Sequence, residues 1–226
     1  MNPMLEQLSP LWISIRVAAW ATLATIALGA PIARGLARAK FRGKGLIAAA
    51  LVLPMVLPPT VLGYELLWLL GREGPVGILT ERFLGATVVF REPGIVVAAI
   101  AASFPLFLVP ARAAFASVDP ALEDAARLLG RTEFSVFFNV TLPLAWRGLF
   151  AGALLAFARA LGDFGATLMV GGNIKGATRT ASLALYDAIS AGDDSTAKTL
   201  TWAVSLAAIV AVLFAETSAE RARGRS

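Results

Sequence analysis

VDPALEDAARLLGRTEFSVFFNVTLP, residues Val118–Pro143, is an amphipathic stretch set between strongly apolar ones, and its reading decides what kind of chain this is. Asp119 is placed to cap a helix that begins at Pro120, a position where a missing N–H costs nothing. Glu123 and Asp124 follow in the first turn, where the helix dipole favours acids. Leu122, Ala125, Ala126 and Leu129 recur at i, i+3, i+4 and i+7 and form one small apolar face. Gly130 stands where a helix-ending glycine belongs. Thr132 is expected to cap a second short helix, with Phe134, Phe137 and Phe138 on its apolar side and Pro143 closing it. A face of small residues plus leucine, without a basic fringe, suits the groove of a partner protein better than lipid headgroups.

Outward from this stretch the chain is apolar. Of 226 residues, 58% are hydrophobic and only 15% charged, against about 25% charged in a soluble domain. The mean hydropathy of +0.74 agrees. A soluble core of this size could not hide so much apolar surface, so the excess faces lipid or other spans. The fold class expected is an all-α integral membrane protein, one domain over residues 1–226 with about five spans. The spans are predicted at about 11–33, 46–70, 94–115, 148–170 and 198–215, with a long polar connection over 116–147. Val76–Phe90 is interrupted by Glu81 and Arg82 and reads as an interfacial helix. The first span is retained rather than cleaved, because nothing basic precedes Arg16 and Glu6 is acidic. The stretch from Arg221 to Ser226 is too short for a cytoplasmic regulatory domain, and none is expected.

Basic residues orient the spans. Arg34, Arg38, Lys40, Arg42, Lys44, Arg112, Arg127, Arg131, Arg147 and the tail arginines Arg221, Arg223 and Arg225 fall on one side. That is twelve, against six on the other side, which makes the first side cytoplasmic. The N-terminus is expected outside and the C-terminus inside. The net charge of +5 therefore reflects topology rather than nucleic-acid binding. The chain has no cysteine and no histidine, which removes thiolate, disulfide and imidazole chemistry. No Walker glycine–lysine loop is present, so the chain does not hydrolyse ATP by that means.

The run Asp124-Ala125-Ala126, three residues, Gly130, nine residues, Val140-Thr141-Leu142-Pro143 resembles the EAA loop of ABC importer permeases. Spacing agrees throughout, with Asp for Glu and Val for Ile. The resemblance implies a coupling loop that docks on a cytoplasmic ATPase subunit through Glu123, Asp124, Ala125, Ala126, Gly130, Leu142 and Pro143. Phe157–Thr167, Gly172–Gly176 with Thr178 and Thr180, Leu53-Pro54 and Leu57–Thr60 are similar to segments of molybdate-type permeases. Sulfate and thiosulfate permeases share much of this pattern. What the resemblance implies is the translocation subunit of an importer for a tetrahedral oxyanion, molybdate or tungstate first. It would be of the type I architecture, act as a homodimer in a bacterial or archaeal cytoplasmic membrane, and meet an extracytoplasmic molybdate-binding protein through Asn173, Lys175 and Arg179. No cofactor is expected on the chain itself; ATP and Mg belong to the ATPase.

Inside the predicted spans, Arg159 and Asp163 share one helix face at i, i+4. Arg159 either offers positive potential to the anion or only neutralises Asp163. Gly162 and Gly165 flank the pair as a small-residue face suited to close helix contact. Pro54, Pro58 and Pro59 interrupt the second span, as a kink along the path or as shape-fitting within the bundle. An ion-gradient-driven secondary transporter would need matching broken halves, and no second half is evident. An intramembrane enzyme would have to rest on the Arg159–Asp163 pair.

Overall fold

A computed structural model describes the backbone over residues 3–223 and side chains over 9–83 and 85–210. Among the described residues the chain is helical throughout. Its elements are α1 (Pro3–Arg38), α2 (Lys44–Val56), α3 (Pro59–Leu70), α4 (Pro75–Leu84), α5 (Glu92–Ala116), α6 (Pro120–Leu128), α7 (Glu133–Val136), a π turn (Phe137–Thr141), α8 (Leu142–Leu161), α9 (Gly165–Gly171), α10 (Ala181–Ser190) and α11 (Asp194–Arg223).

Among the described residues, three helical runs are long and apolar enough to cross a membrane, Ser9–Arg38, Glu92–Ala116 and Glu133–Leu161. They form the centre of the molecule: α5 lies between α1 and α8 and packs on both. Phe107, Leu108, Ala111 and Phe115 of α5 meet Ala33 and Leu36 of α1 and Ala145 and Ala156 of α8 in one half. Ile95 and Ala99 meet Ile13, Val17, Ala18 and Ala21 in the other. Lipid gives no hydrophobic drive between helices, so close approach through small residues does the packing. A Cβ at Gly148 would fall 2.4 Å from Cβ of Ala114, and one at Gly152 would fall 3.0 Å from the Phe107 carbonyl oxygen. At the end opposite the basic turn of residues 39–43, the Arg16 guanidinium pairs with the Glu92 carboxylate. Ser14 accepts a 2.8 Å hydrogen bond from Ala181 N–H, tying α10 to α1.

Two predicted spans are broken. The second is two helices, α2 and α3, meeting at a bend of 112°. Proline explains where: Pro58 and Pro59 supply no N–H to the preceding turn, and Pro59 is well placed as the first residue of a new helix. Pro54, by contrast, lies within α2 without ending it. The fourth span is displaced. It begins at Glu133 rather than 148, ends at Leu161 rather than 170, and α9 continues after a three-residue gap. Pro143 does not close a short helix; it sits in the first turn of α8. The π turn before it absorbs the missing donor, with Leu142 N–H reaching the Phe137 carbonyl. At 29 residues the run is about 44 Å long, more than a bilayer core of about 30 Å requires, so its first turns project beyond the apolar layer. The connection between the third and fourth spans therefore shrinks from 116–147 to 117–132. Part of the predicted fifth span, 198–215, and the tail arginines Arg221 and Arg223 fall on α11 outside the described side chains, and Arg225 lies outside the described residues. Trp202, Leu206, Ile209 and Val210 within that span are exposed.

Candidate functional site: a docking hairpin and a paired helix break

The short segment α6–α7 folds as its residues dictate. The Asp119 carboxylate accepts from Ala121 N–H at 2.9 Å, and Thr132 Oγ1 accepts from Ser135 N–H at 3.3 Å. Gly130 adopts φ +79°, with its N–H on the Arg127 carbonyl at 2.9 Å and Arg131 N–H on the Ala126 carbonyl at 3.2 Å. That pair of bonds is a Schellman cap, which only a residue at ease in the left-handed region completes without strain. Arg127 forks between Asp124 and Glu133, both at 2.6 Å. Hydrogen bonds from its N–H groups to Glu133 and then Asp124 raise the already high pKa of this guanidinium.

The hairpin turns an apolar surface outward. Leu122, Leu129 and Ala125 of the predicted face are exposed and Ala126 is half-buried. Leu128 at 89% and Phe134 at 74% exposure extend the patch. Exposed apolar patches of this kind mark sites of contact with protein or membrane. Asp124 and Pro143 are exposed and Leu142 is half-buried. Phe137 faces the core, 6.4 Å from the Phe115 ring centroid, while Phe134 and Phe138 stay outside. Nothing lies within 4 Å of a Cβ at Gly130, so Gly130→Ala is expected to cost only the backbone term, about 1–2 kcal/mol. Thermal unfolding of the purified chain, with an asparagine variant as the milder control, checks this.

Glu123 is a correction. Sequence reading placed it among the partner contacts, but only 4% of it is exposed. Its Oε2 lies 3.0 Å from an Arg38 nitrogen and its Oε1 accepts from the Thr141 hydroxyl at 2.6 Å. Arg38 also donates to the Val118 carbonyl at 3.0 Å. The hairpin is thus bolted to the end of α1 and to the π turn through one buried carboxylate. Arg38 and Thr141 were not singled out from sequence, since no spacing rule links them to Glu123.

The second assembly joins the two breaks. Arg159 in the last turn of α8 holds Asp163 Oδ1 at 2.9 Å. Asp163 Oδ2 accepts from Thr167 N–H at 2.9 Å and from its hydroxyl at 2.6 Å, which starts α9. The carboxylate side chain is 1% exposed and the guanidinium 30%. The pair therefore sits at a helix break rather than midway along an unbroken span. Gly165 is buried against the other break, where a Cβ would fall 2.8 Å from Pro59 Cβ. The flanking Pro58, Pro59 and Thr60 are exposed, as is Gly162, whose Cβ would meet only the Ala158 carbonyl. Close contact is thus the role of Gly165 and not of Gly162. Broken helices at membrane depth are tolerated where protein or a water-filled path satisfies the freed backbone. Gly165→Val is expected to push α9 off α3 at about 1–3 kcal/mol, readable as a lowered unfolding temperature, with Gly162→Ala close to neutral.

Of the three residues predicted to meet a binding protein, two are occupied internally. Asn173 donates to Asp187 at 2.9 Å and accepts from Arg179 at 3.0 Å, while Arg179 pairs with Asp187 at 2.7 Å. Lys175 is exposed beside them. Among the described residues no group of three or more His, Cys, Asp or Glu side chains is placed to hold a metal.

The chain is 41% identical over 216 residues to the molybdenum transport system permease protein ModB of Escherichia coli (strain K12), covering 95% of this chain and 94% of that protein. It is 38% identical over 198 residues to the putative molybdenum transport system permease protein YvgM of Bacillus subtilis (strain 168), covering 88% and 86%. Two solved structures share the fold at 16% identity. One is a bacterial ABC transporter involved in import of the acidic polysaccharide alginate, with a TM-score of 0.76 over 95% of this chain and 79% of that one. The other is the MetNI methionine ABC transporter in inward-facing conformations, with a TM-score of 0.73 over 98% of each chain. Residues 25–222 match the family described as binding-protein-dependent transport system inner membrane component, and the chain belongs to that family.

Proposed function

We propose that this chain is the translocation-pathway subunit of an ATP-driven importer of molybdate or tungstate. The observation that carries the substrate is its likeness, at 41% identity over 95% of its length, to a molybdenum permease. The exposed leucine surface of α6 supports docking on a separate ATPase, because the buried Glu123–Arg38 bolt lets the hairpin move only together with α1 and α8. Two copies would face each other across the paired breaks, with Arg159 offering positive potential to the anion, since one copy has too few spans to enclose a path. Nucleotide-driven closure of the ATPase pair would then tilt the bundles between inward and outward access. ATP and Mg are used by that ATPase, and this chain holds no cofactor of its own. Lys175 is the residue left for a molybdate-binding protein outside the membrane.

ATP hydrolysis in proteoliposomes that hold this chain, its ATPase and its binding protein tests the proposal. Stimulation by molybdate and tungstate but not sulfate is expected. Stimulation by sulfate would keep the architecture and reassign the substrate, and an ion-gradient requirement without ATP use would refute it. The N-terminus outside and C-terminus inside complete the reading. Single cysteines at Lys40 and Lys175 are expected to label from opposite sides with a membrane-impermeant maleimide; labelling from one side would overturn the orientation.

A further inference from the structure

A cavity of about 1230 Å³ opens between α1, the turn after it and the α6–α8 segment. Its lining is segregated along α1. Ile26, Ala27, Ala30 and Pro31 form an apolar wall with Leu142 and Phe138 opposite. The lining turns basic at Arg34, three residues past Pro31 and about 12 Å beyond Ile26 on the same helix, and continues with Arg38 at its end, Lys40 in the turn after it and Lys44 at the start of α2. The acids that approach are already engaged: Glu123 by Arg38 and Thr141, and Glu133 by Arg127. Arg34 stacks on the Phe137 ring at 4.6 Å, and neither it nor Lys40 nor Lys44 has a salt bridge among the described residues. Arg38 keeps its Nε–H buried without an acceptor. The cavity thus joins an apolar trough to a cluster of cationic donors, of which Lys40 and Lys44 have no carboxylate partner among the described residues.

We infer that this cavity seats an anionic phospholipid, with the acyl chain along the α1 trough and the phosphate against Lys40, Lys44 and Arg34. Charge complementarity and the order of the lining along a membrane-spanning helix select a lipid over a free anion, which would gain nothing from the apolar wall. The orientation proposed above serves only to name the leaflet, the cytoplasmic one. Because Arg38 both lines the cavity and holds Glu123, the bound lipid presses on the same bolt that carries the docking hairpin.

Native mass spectrometry of the intact chain–ATPase complex, released from vesicles of equal parts phosphatidylcholine and phosphatidylglycerol, tests this. Phosphatidylglycerol is expected to be retained in preference to phosphatidylcholine. Lys40→Gln with Lys44→Gln is expected to lower that retention about thirtyfold, at about fivefold per basic residue near an anionic surface. Ala27→Trp, at an exposed position that fills the trough, should lower it as well, while Lys175→Gln at the opposite end should not. Unchanged retention in the lysine variant would overturn the site. Retention insensitive to Ala27→Trp would mean headgroup attraction alone and overturn the cavity, and displacement by inorganic phosphate would make the ligand a free anion. Lipid present on the isolated chain but expelled by the ATPase would assign the cavity to that partner. The ATP hydrolysis assay with molybdate fails or succeeds independently of all these outcomes.

Discussion

Arg38→Ala is expected to destabilise the protein by about 3–5 kcal/mol, because it leaves the Glu123 carboxylate buried without its cation. The geometry makes the pair asymmetric. The Glu123 side chain is 5% exposed and the Arg38 side chain 29%, so a bereaved Arg38 can turn to water and a bereaved Glu123 cannot. Glu123→Ala should therefore cost less, about 1–3 kcal/mol, mostly from the stranded Thr141 hydroxyl and the lost charge-assisted bond. Replacing both by Met and Leu should recover most of the loss, as apolar substitutes for buried pairs do. Thermal unfolding of the four proteins checks this order. If Arg38→Ala proves no worse than Glu123→Ala, the carboxylate is not dependent on this cation. Coupling gives a second readout: the double variant should fold and bind the ATPase, yet transmit less of the transport-stimulated hydrolysis, since the hairpin is no longer fixed to α1.

The second large effect lies at the other assembly, where two variants that remove one partner each are expected to part company. Asp163→Ala removes the acceptor of three hydrogen bonds, from Arg159, Thr167 N–H and the Thr167 hydroxyl. It leaves the first turn of α9 without its acceptor and the buried Thr167 hydroxyl unpaired, at about 1–3 kcal/mol for the hydroxyl and about 1 kcal/mol for the cap, and should impair assembly. Arg159→Ala leaves the buried Asp163 carboxylate without its cation but with both Thr167 bonds, so assembly should be weakened rather than lost. Uptake, however, is expected to fall by more than tenfold, the loss of one charge-assisted contact to the anion at about 1.5–3 kcal/mol. Arg159→Gln, which keeps donors without charge, should restore assembly fully and transport hardly at all. Normal uptake by Arg159→Ala would reduce the arginine to a counter-ion.

Much of the docking hairpin was legible in advance. Asp119, Thr132 and Gly130 act within one or two turns of themselves, and capping chemistry read from neighbours along the chain reproduces their bonds. The outward face of Leu122, Ala125 and Leu129 follows from helical period alone. What could not be read was the inward side of the same helix. Glu123 and Asp124 are adjacent acids in one helical turn, and only the approach of α1 and the π turn decides that Glu123 is the buried one and Asp124 the exposed one. The internal bonds of Asn173 and Arg179 could not be read for the same reason: their acceptor, Asp187, comes from α10, beyond the loop that holds them.

By itself, the sequence determined that this chain lives in a membrane, that its helices are separated by basic turns, and that its polar hairpin carries an apolar face. Hydropathy, cap residues and prolines act on the chain next to them, so their effects survive without knowledge of the fold. Tertiary structure alone decided where the spans end. The run to Leu161 absorbs Pro143 through a π turn, and Asp163 opens α9 because Arg159 and Thr167 share it. Gly165 is tolerated and needed because Pro59 of a distant helix lies 2.8 Å from where its Cβ would be. Buried charge and close backbone approach are properties of the neighbour across the gap, and no residue carries its neighbour across a gap in its own identity.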